Sequence, residues 1–434
     1  MNNTTMRRMA VAATCALPVM ALAACGSDDR SSGAVDGEIS FAYWGSPDRA
    51  ELVNDVIGLY QAGHDGVTVN GELADYNAYV ERLTVRAAGG GLACATAMQS
   101  TFLTEYAQNG SLMPLDDLID EGQIDVLGIP EDVLETGQVD GQQFMIPTGS
   151  FVRLLAYNVE MVEKTGVAPL EAPYTWEEYG AWLREVQEKL PEGVYATEND
   201  GGFMFTFASW VVGHGEDLFA DGTLGFTEET LAAYFQFWLD LTEDGVAIPP
   251  EEIPTQYESM EIRPLAKETV ASGFRDIPGI FLTESSIQDA GGTASIASLS
   301  NPTDTGDSAN VVGANGISIP EECDNVGTAA SFIDFFTNDT EAAKAFKSDN
   351  GVLTNTDAQE ALLSSDAVDP TVVATVKRLQ ELEAADDLTS ATYPAGSTTL
   401  TADLLRLYQE IAFGQLTVDE AVDQFFTSAE RALN

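Results

Sequence analysis

Basic residues and histidine are scarce in this chain. Its 434 residues include 19 Lys and Arg against 70 Asp and Glu, a formal net charge of −51, and only two histidines, His64 and His214. A surface of that sign repels nucleic-acid phosphates and anionic lipid headgroups, which excludes functions built on a basic footprint. Two histidines far apart in sequence leave little material for a His-based metal site or general acid. Also missing are a P-loop, an HExxH pair, a G-x-S-x-G elbow and paired C-x-x-C motifs. Gly89-Gly90-Gly91 lacks the spacing of a dinucleotide fingerprint and serves as a helix stop. Carboxylates are so abundant that a glycosidase-like pair arises by chance, so composition alone leaves a carboxylate enzyme open. Acid spread along the whole chain points to an acidic proteome or a saline habitat rather than to an acidic site.

Long apolar runs are lacking as well, and the one that comes near is at the N-terminus. Arg7 and Arg8 precede an apolar stretch from Met9 to Ala24, broken by Thr14, Cys15 and Pro18, too short to span a bilayer. It reads as a signal peptide over residues 1–24. Leu22-Ala23-Ala24-Cys25 resembles a bacterial lipobox, which makes Cys25 the expected site of lipidation, followed by a polar tether over 25–36. One acyl chain holds only marginally, so stable anchoring implies more than one on Cys25. Of the four cysteines, Cys94 and Cys323 then remain in an oxidising compartment, where a pair tends to be a disulfide.

The rest of the chain alternates strand and helix patterns. Ile39, Phe41 and Tyr43 alternate with smaller or polar residues up to Trp44-Gly45-Ser46-Pro47. A helical pattern with Leu52, Val53, Val56, Ile57 and Tyr60 follows, then a strand from Val67. Asn77 is the expected cap of the next helix, and a third strand runs from about Ala93 to Met98. Short crossovers in a βαβαβα order define a parallel α/β sheet, whose ligands sit beyond the carboxyl ends of its strands. Those ends carry Trp44 with Ser46, Tyr76 with Asn77, and Gln99 with Ser100. Further on, Thr175-Trp176-Glu177-Glu178 has the form of a capping box, Val311 to Pro320 that of a strand, and Leu400 to Leu433 that of two amphipathic helices.

Several motifs share an order seen elsewhere. Ala74-Asp75-Tyr76-Asn77-Ala78-Tyr79-Val80-Glu81-Arg82-Leu83 leads into Arg86-Ala87-Ala88-Gly89-Gly90-Gly91. Then come Gly110-Ser111-Leu112-Met113-Pro114-Leu115, Phe144-Met145-Ile146-Pro147, Tyr157-Asn158, Thr165-Gly166-Val167, Gly213-His214-Gly215-Glu216-Asp217 and Gly351-Val352-Leu353. Together they resemble extracellular solute-binding proteins of family 1, the maltose-binding-protein-like receptors of sugar importers of the ABC type. Ala93-Cys94-Ala95 departs from the family's Pro-Asp-Val at the third strand.

The resemblance implies an α/β fold of two lobes joined by a hinge, each a mostly parallel sheet flanked by helices. Residues 37–150 and 285–340 would form lobe 1, and 151–284 and 341–434 lobe 2, with crossings near 148–154, 285 and 340. It implies a monomeric receptor, not an enzyme, without cofactor or metal, that delivers a sugar or oligosaccharide to membrane permeases. Other solutes, a polyol phosphate or a peptide, and a surface glycosidase are the alternatives. Sugars offer apolar faces for aromatic stacking and hydroxyls for amide and charged side chains. Trp44 is therefore the first candidate platform, with burial under a helix as the other reading. Tyr76, Asn77, Gln99 and Ser100 stand at strand ends, Ser150 and Asn315 near the hinge, and Trp210, Phe274, Arg275 and Tyr393 are the candidates from lobe 2. In the resembling fold the late strand returns antiparallel to the third, which would bring Cys94 and Cys323 to one sheet edge, opposite the ligand.

Overall fold

The computed structural model describes residues 33–220, 222–257, 263–365 and 368–433. The signal segment and Cys25 lie outside them, as does the side chain of Asn77. β1 (Gly37–Trp44), β2 (Val67–Ala74) and β3 (Ala95–Gln99) pair in parallel with β1 in the middle, joined by α1 (Pro47–Gly63) and α2 (Tyr76–Gly89). Local sequence dictates the turns. The Ser46 hydroxyl accepts from the Arg49 N–H, and Pro47 opens α1, where a missing N–H costs nothing. Asp75, not Asn77, caps α2: its carboxylate accepts from the Ala78 N–H at 3.0 Å and its backbone is extended, while Asn77 is already helical.

β4 (Ile146–Asn158) is the element that makes two lobes from one chain. Its 13 residues run out of the first sheet into a second. The second sheet holds β5 (Tyr195–Thr197), β6 (Val270–Asp276) and β7 (Ile296–Leu299), with β6 and β7 flanking the later half of β4. β8 (Val311–Ser318) returns to the first sheet, antiparallel to both β3 and the first half of β4. Along β4, Leu154 and Ala156 enter one core while Leu155 and Tyr157 enter another, as the two-residue period of a strand requires. The first lobe's core gathers Phe41, Tyr43, Val56, Tyr60, Met98, Ile146, Ile317 and Phe332.

Core membership corrects the expected lobe boundaries. Ala342, Phe346, Ala358 and Leu362 join the first core, because the helix Thr340–Phe346 packs on α1. Ile287 and Ile296 join Leu154 and Ile277 in a core of the second lobe, so residue 285 lies inside a second-lobe helix and is no crossing. The chain crosses instead within β4, again between β7 and β8, and a third time beyond Leu363. The sequence hid this because the first crossing lies inside a regular strand, and Pro302 and Gly306 between β7 and β8 read like any other turn residues.

The Cys94–Cys323 disulfide is present, with Cα atoms 5.1 Å apart. Cys94 precedes β3 and Cys323 follows β8, and the antiparallel register Thr96 to Ser318 sets them at the same edge. The Glu322 carboxylate beside it accepts from the Gly91 and Leu92 N–H groups and ties the loop before β3 to that edge.

Candidate functional site

The carboxyl ends of β1, β2 and β3 meet in one hydrogen-bonded network on the first lobe's wall. Tyr76 Oη donates to Gln99 Oε1 at 3.3 Å, and Thr101 Oγ1 donates to the same oxygen at 2.8 Å. Gln99 Nε2 donates to Asn315 Oδ1, and Asn315 Nδ2 to the Asn350 carbonyl, each at 3.0 Å. Arg49 closes the chain, with Nη1 donating to Asn350 Oδ1 at 3.0 Å and to the Trp44 carbonyl at 3.1 Å. Its Nε pairs with Asp349. Gly45 makes room for that side chain, since a Cβ there would stand 2.4 Å from Arg49 Cδ. Ser100 Oγ accepts from the Ala314 N–H at 3.2 Å. Every member except Arg49 and Asp349 is neutral, and Tyr76 is 44% exposed, so the wall offers amides and hydroxyls to a solute.

The second lobe presents a different surface where β4, β5 and β6 reach the same gap. Arg153 lies at the crossing of β4, in register with Asp276 at the end of β6. Its Nη2 donates to both oxygens of Asp200, at 3.2 and 3.1 Å, and Thr206 Oγ1 donates to that carboxylate at 3.1 Å. The guanidinium stacks 4.0 Å over the ring of Phe203. From Phe203 a row of rings continues to Phe205 at 5.9 Å and to Phe151 at 5.3 Å. A branch runs from Phe205 to Tyr393 and on to Phe219. The four phenylalanines are half-buried. Gly313 under the row admits the Phe151 ring, because a Cβ there would meet it at 2.5 Å. A cavity of 260 Å³ opens between Ser100, Thr104 and Thr136 of the first lobe and Thr392 and Tyr393 of the chain leading to the last two helices.

Several predicted contacts do not face this gap. Trp44 is 8% exposed and sits in the first core between Tyr79 and Phe102, with Tyr76 at its edge. Trp210 and Phe274 fill the second core around Trp176, because the helix face and the strand face that carry them point away from the cleft. Ser150 is 1% exposed and its hydroxyl is directed at the Val352 carbonyl. Ser46 is spent as the cap of α1. Tyr393 does line the cavity beside Ser100, but it is buried there, which pushes its phenol well above the usual range. Arg275 is 2% exposed and forks onto Glu198. Burial pulls its pKa down, but the Glu198 charge and hydrogen bonds outweigh this and hold it above the ordinary value. Arg263 nearby is pulled down by burial and by the like charge of Arg275.

The sequence reading missed Arg49, Asn350, Arg153, Asp200 and the phenylalanine row. A signal existed for two of them: Arg153 is a lone charge in the apolar strand Val152 to Tyr157, and Phe203-x-Phe205 straddles a helix start after two glycines.

Two α/β lobes sharing a continuous strand, with a polar wall facing an aromatic one, define a hinged solute receptor. The profile of the bacterial extracellular solute-binding proteins matches residues 57–403, and the chain belongs to that family. A binding protein of Brucella abortus is 23% identical over 219 residues, 49% of this chain and 51% of that one. The chain thus aligns with about half the length of the curated relatives it matches. An oligogalacturonide-binding protein of Yersinia enterocolitica, solved with saturated digalacturonic acid, has a TM-score of 0.76 at 18% identity. That likeness covers 92% of this chain and 100% of that one. The GacH receptor of Streptomyces glaucescens, solved with acarbose, has a TM-score of 0.74 at 17% identity, covering 92% and 99%.

Proposed function

We propose that the protein captures a sugar or oligosaccharide in the gap between its lobes and delivers it to a membrane permease of the ABC type. The observation that carries this reading is the pairing of walls: a neutral amide and hydroxyl network opposite a row of half-exposed phenylalanine rings. A pyranose has that same division, apolar C–H faces and a polar rim. Tyr76, Gln99, Ser100 and Asn315 would exchange bonds among themselves for bonds to hydroxyls, and Phe203 and Phe205 would stack on a ring face. Closure about β4 and β8 would expel water and complete the site, the hinge motion that periplasmic binding proteins illustrate in general. Lipid on Cys25 would hold a monomer at the outer face of the membrane. Two fold relatives solved with saccharide ligands add support.

Hydrolysis finds less support. The two buried carboxylates of the second wall, Glu198 and Asp200, are each gripped by an arginine and so are poorly placed to donate a proton. Calorimetry against a panel of mono- and oligosaccharides tests the proposal, with labelled oligosaccharides recovered afterwards. Intact sugar bound at micromolar or tighter affinity is expected; cleaved sugar, or no heat with any member, defeats it.

A further inference from the structure

We infer that the second-lobe wall sorts saccharides by charge, with the Arg153–Asp200 pair admitting neutral sugars and turning away uronates and other anions. This rests on the saccharide reading and sharpens it. Arg153 is the guanidinium at the crossing of β4, its side chain 14% exposed, and so the cation an acidic sugar would meet first. Both of its bonds to Asp200 come from the end of the fork, and its Nε donates to Thr206 Oγ1 at 3.3 Å. Asp200 is 1% exposed. A ligand carboxylate that took Arg153 would leave a buried anion held by the Thr206 hydroxyl without its counter-charge, and would place a second negative charge beside it.

The neighbouring cations give no relief. Arg275 is buried and forked onto Glu198, Arg49 on the opposite wall is held by Asp349 and Asn350, and Arg263 is engaged as well. Asp276 stands opposite Arg153 in the register of β6, and Asp132, Glu135 and Asp140 line the cavity beside Ser100, so further acidic groups border the gap. A net charge of −51 adds a long-range field of the same sign. A neutral sugar needs none of these pairs broken. Its hydroxyls can accept from Arg153 beside Asp200 and donate to Asp276, and the guanidinium held flat on Phe203 extends the stacking surface.

The test is calorimetry at low ionic strength with matched disaccharides: cellobiose against cellobiouronic acid, and galactobiose against digalacturonic acid. The neutral member of any pair that binds is expected to bind at least tenfold tighter. Asp200→Asn keeps the shape of the wall, frees the guanidinium and is expected to shift the ratio at least tenfold toward the uronate. Wild-type protein that binds a uronate as tightly as its neutral partner overturns the inference, and this arm needs no variant. An Asp200→Asn protein that melts as a folded unit but keeps the wild-type ratio also overturns it. Failure of both members of both pairs, together with the wider panel, overturns the saccharide reading itself and is recognisably a different result.

Discussion

On the first lobe's wall most polar contacts run between uncharged amides and hydroxyls and the one ion pair, Arg49–Asp349, is partly exposed, whereas the second lobe sets aromatic faces beside two guanidinium–carboxylate pairs, both carboxylates buried. The difference is one of exchangeability. A neutral hydrogen bond contributes only about 0.5–1.5 kcal/mol net, and one partner can be traded for a sugar hydroxyl with little loss. A buried ion pair cannot be traded, because removing one member leaves the other charged in a medium that does not solvate it. The first wall is therefore the more adaptable and the second the more fixed, and under the saccharide proposal such a receptor would orient its ligand on one side and follow its hydroxyls on the other.

The largest effect that sharpens this contrast is expected at Glu198. Glu198→Ala leaves Arg275 buried without its carboxylate and should lower stability by about 3–5 kcal/mol in a denaturant titration. A loss under about 1 kcal/mol would show that the second wall is as forgiving as the first. Opening the disulfide by Cys94→Ser should cost about 2–4 kcal/mol, read from the same titration. Because that edge is remote from the gap, saccharide affinity at a temperature where the variant is folded should hold.

On the ligand side, Phe205→Ala should weaken saccharide binding by about 1–3 kcal/mol through lost stacking. Unchanged affinity would remove the aromatic row from the site. The smallest effect is expected on the adaptable wall, where Gln99→Ala should cost about 0.5–1.5 kcal/mol of binding. A larger loss at Gln99 than at Phe205 would invert the comparison and make the amide network the anchor.

The order of strands and helices was legible in sequence because period-two and helical patterns and short crossovers agree from Ile39 to Gln108, even though the cap of α2 proved to be Asp75 and not Asn77. The disulfide was expected from two cysteines in an exported chain together with the antiparallel return of the late strand that the family resemblance implies. The second wall was not legible. Trp210 and Phe274 drew attention by size, yet size says nothing about which face of a helix or strand a ring occupies, and both lie in the second core. Asn350 escaped because its place depends on Val352 and Leu353 pairing with β4 and setting the Asn350 carbonyl beside Gly149, a contact between positions some two hundred apart. Arg275 was expected to meet ligand, but its fork is taken by Glu198, and no local pattern links residues 77 apart.

The bond between Cys94 and Cys323 spans a sequence separation of 229 and so encloses β4 and the second-lobe residues that precede β8 in one covalent ring. A protease acting outside the cell can therefore cut this ring once without releasing a fragment: the chain ends part, but both stay attached through sulfur. A single nick between residues 95 and 322 should run as one band on a non-reducing gel and as two after reduction. Such a nicked receptor would keep both of its walls on one molecule, so exposed loops in this stretch can be cut once without shedding a lobe.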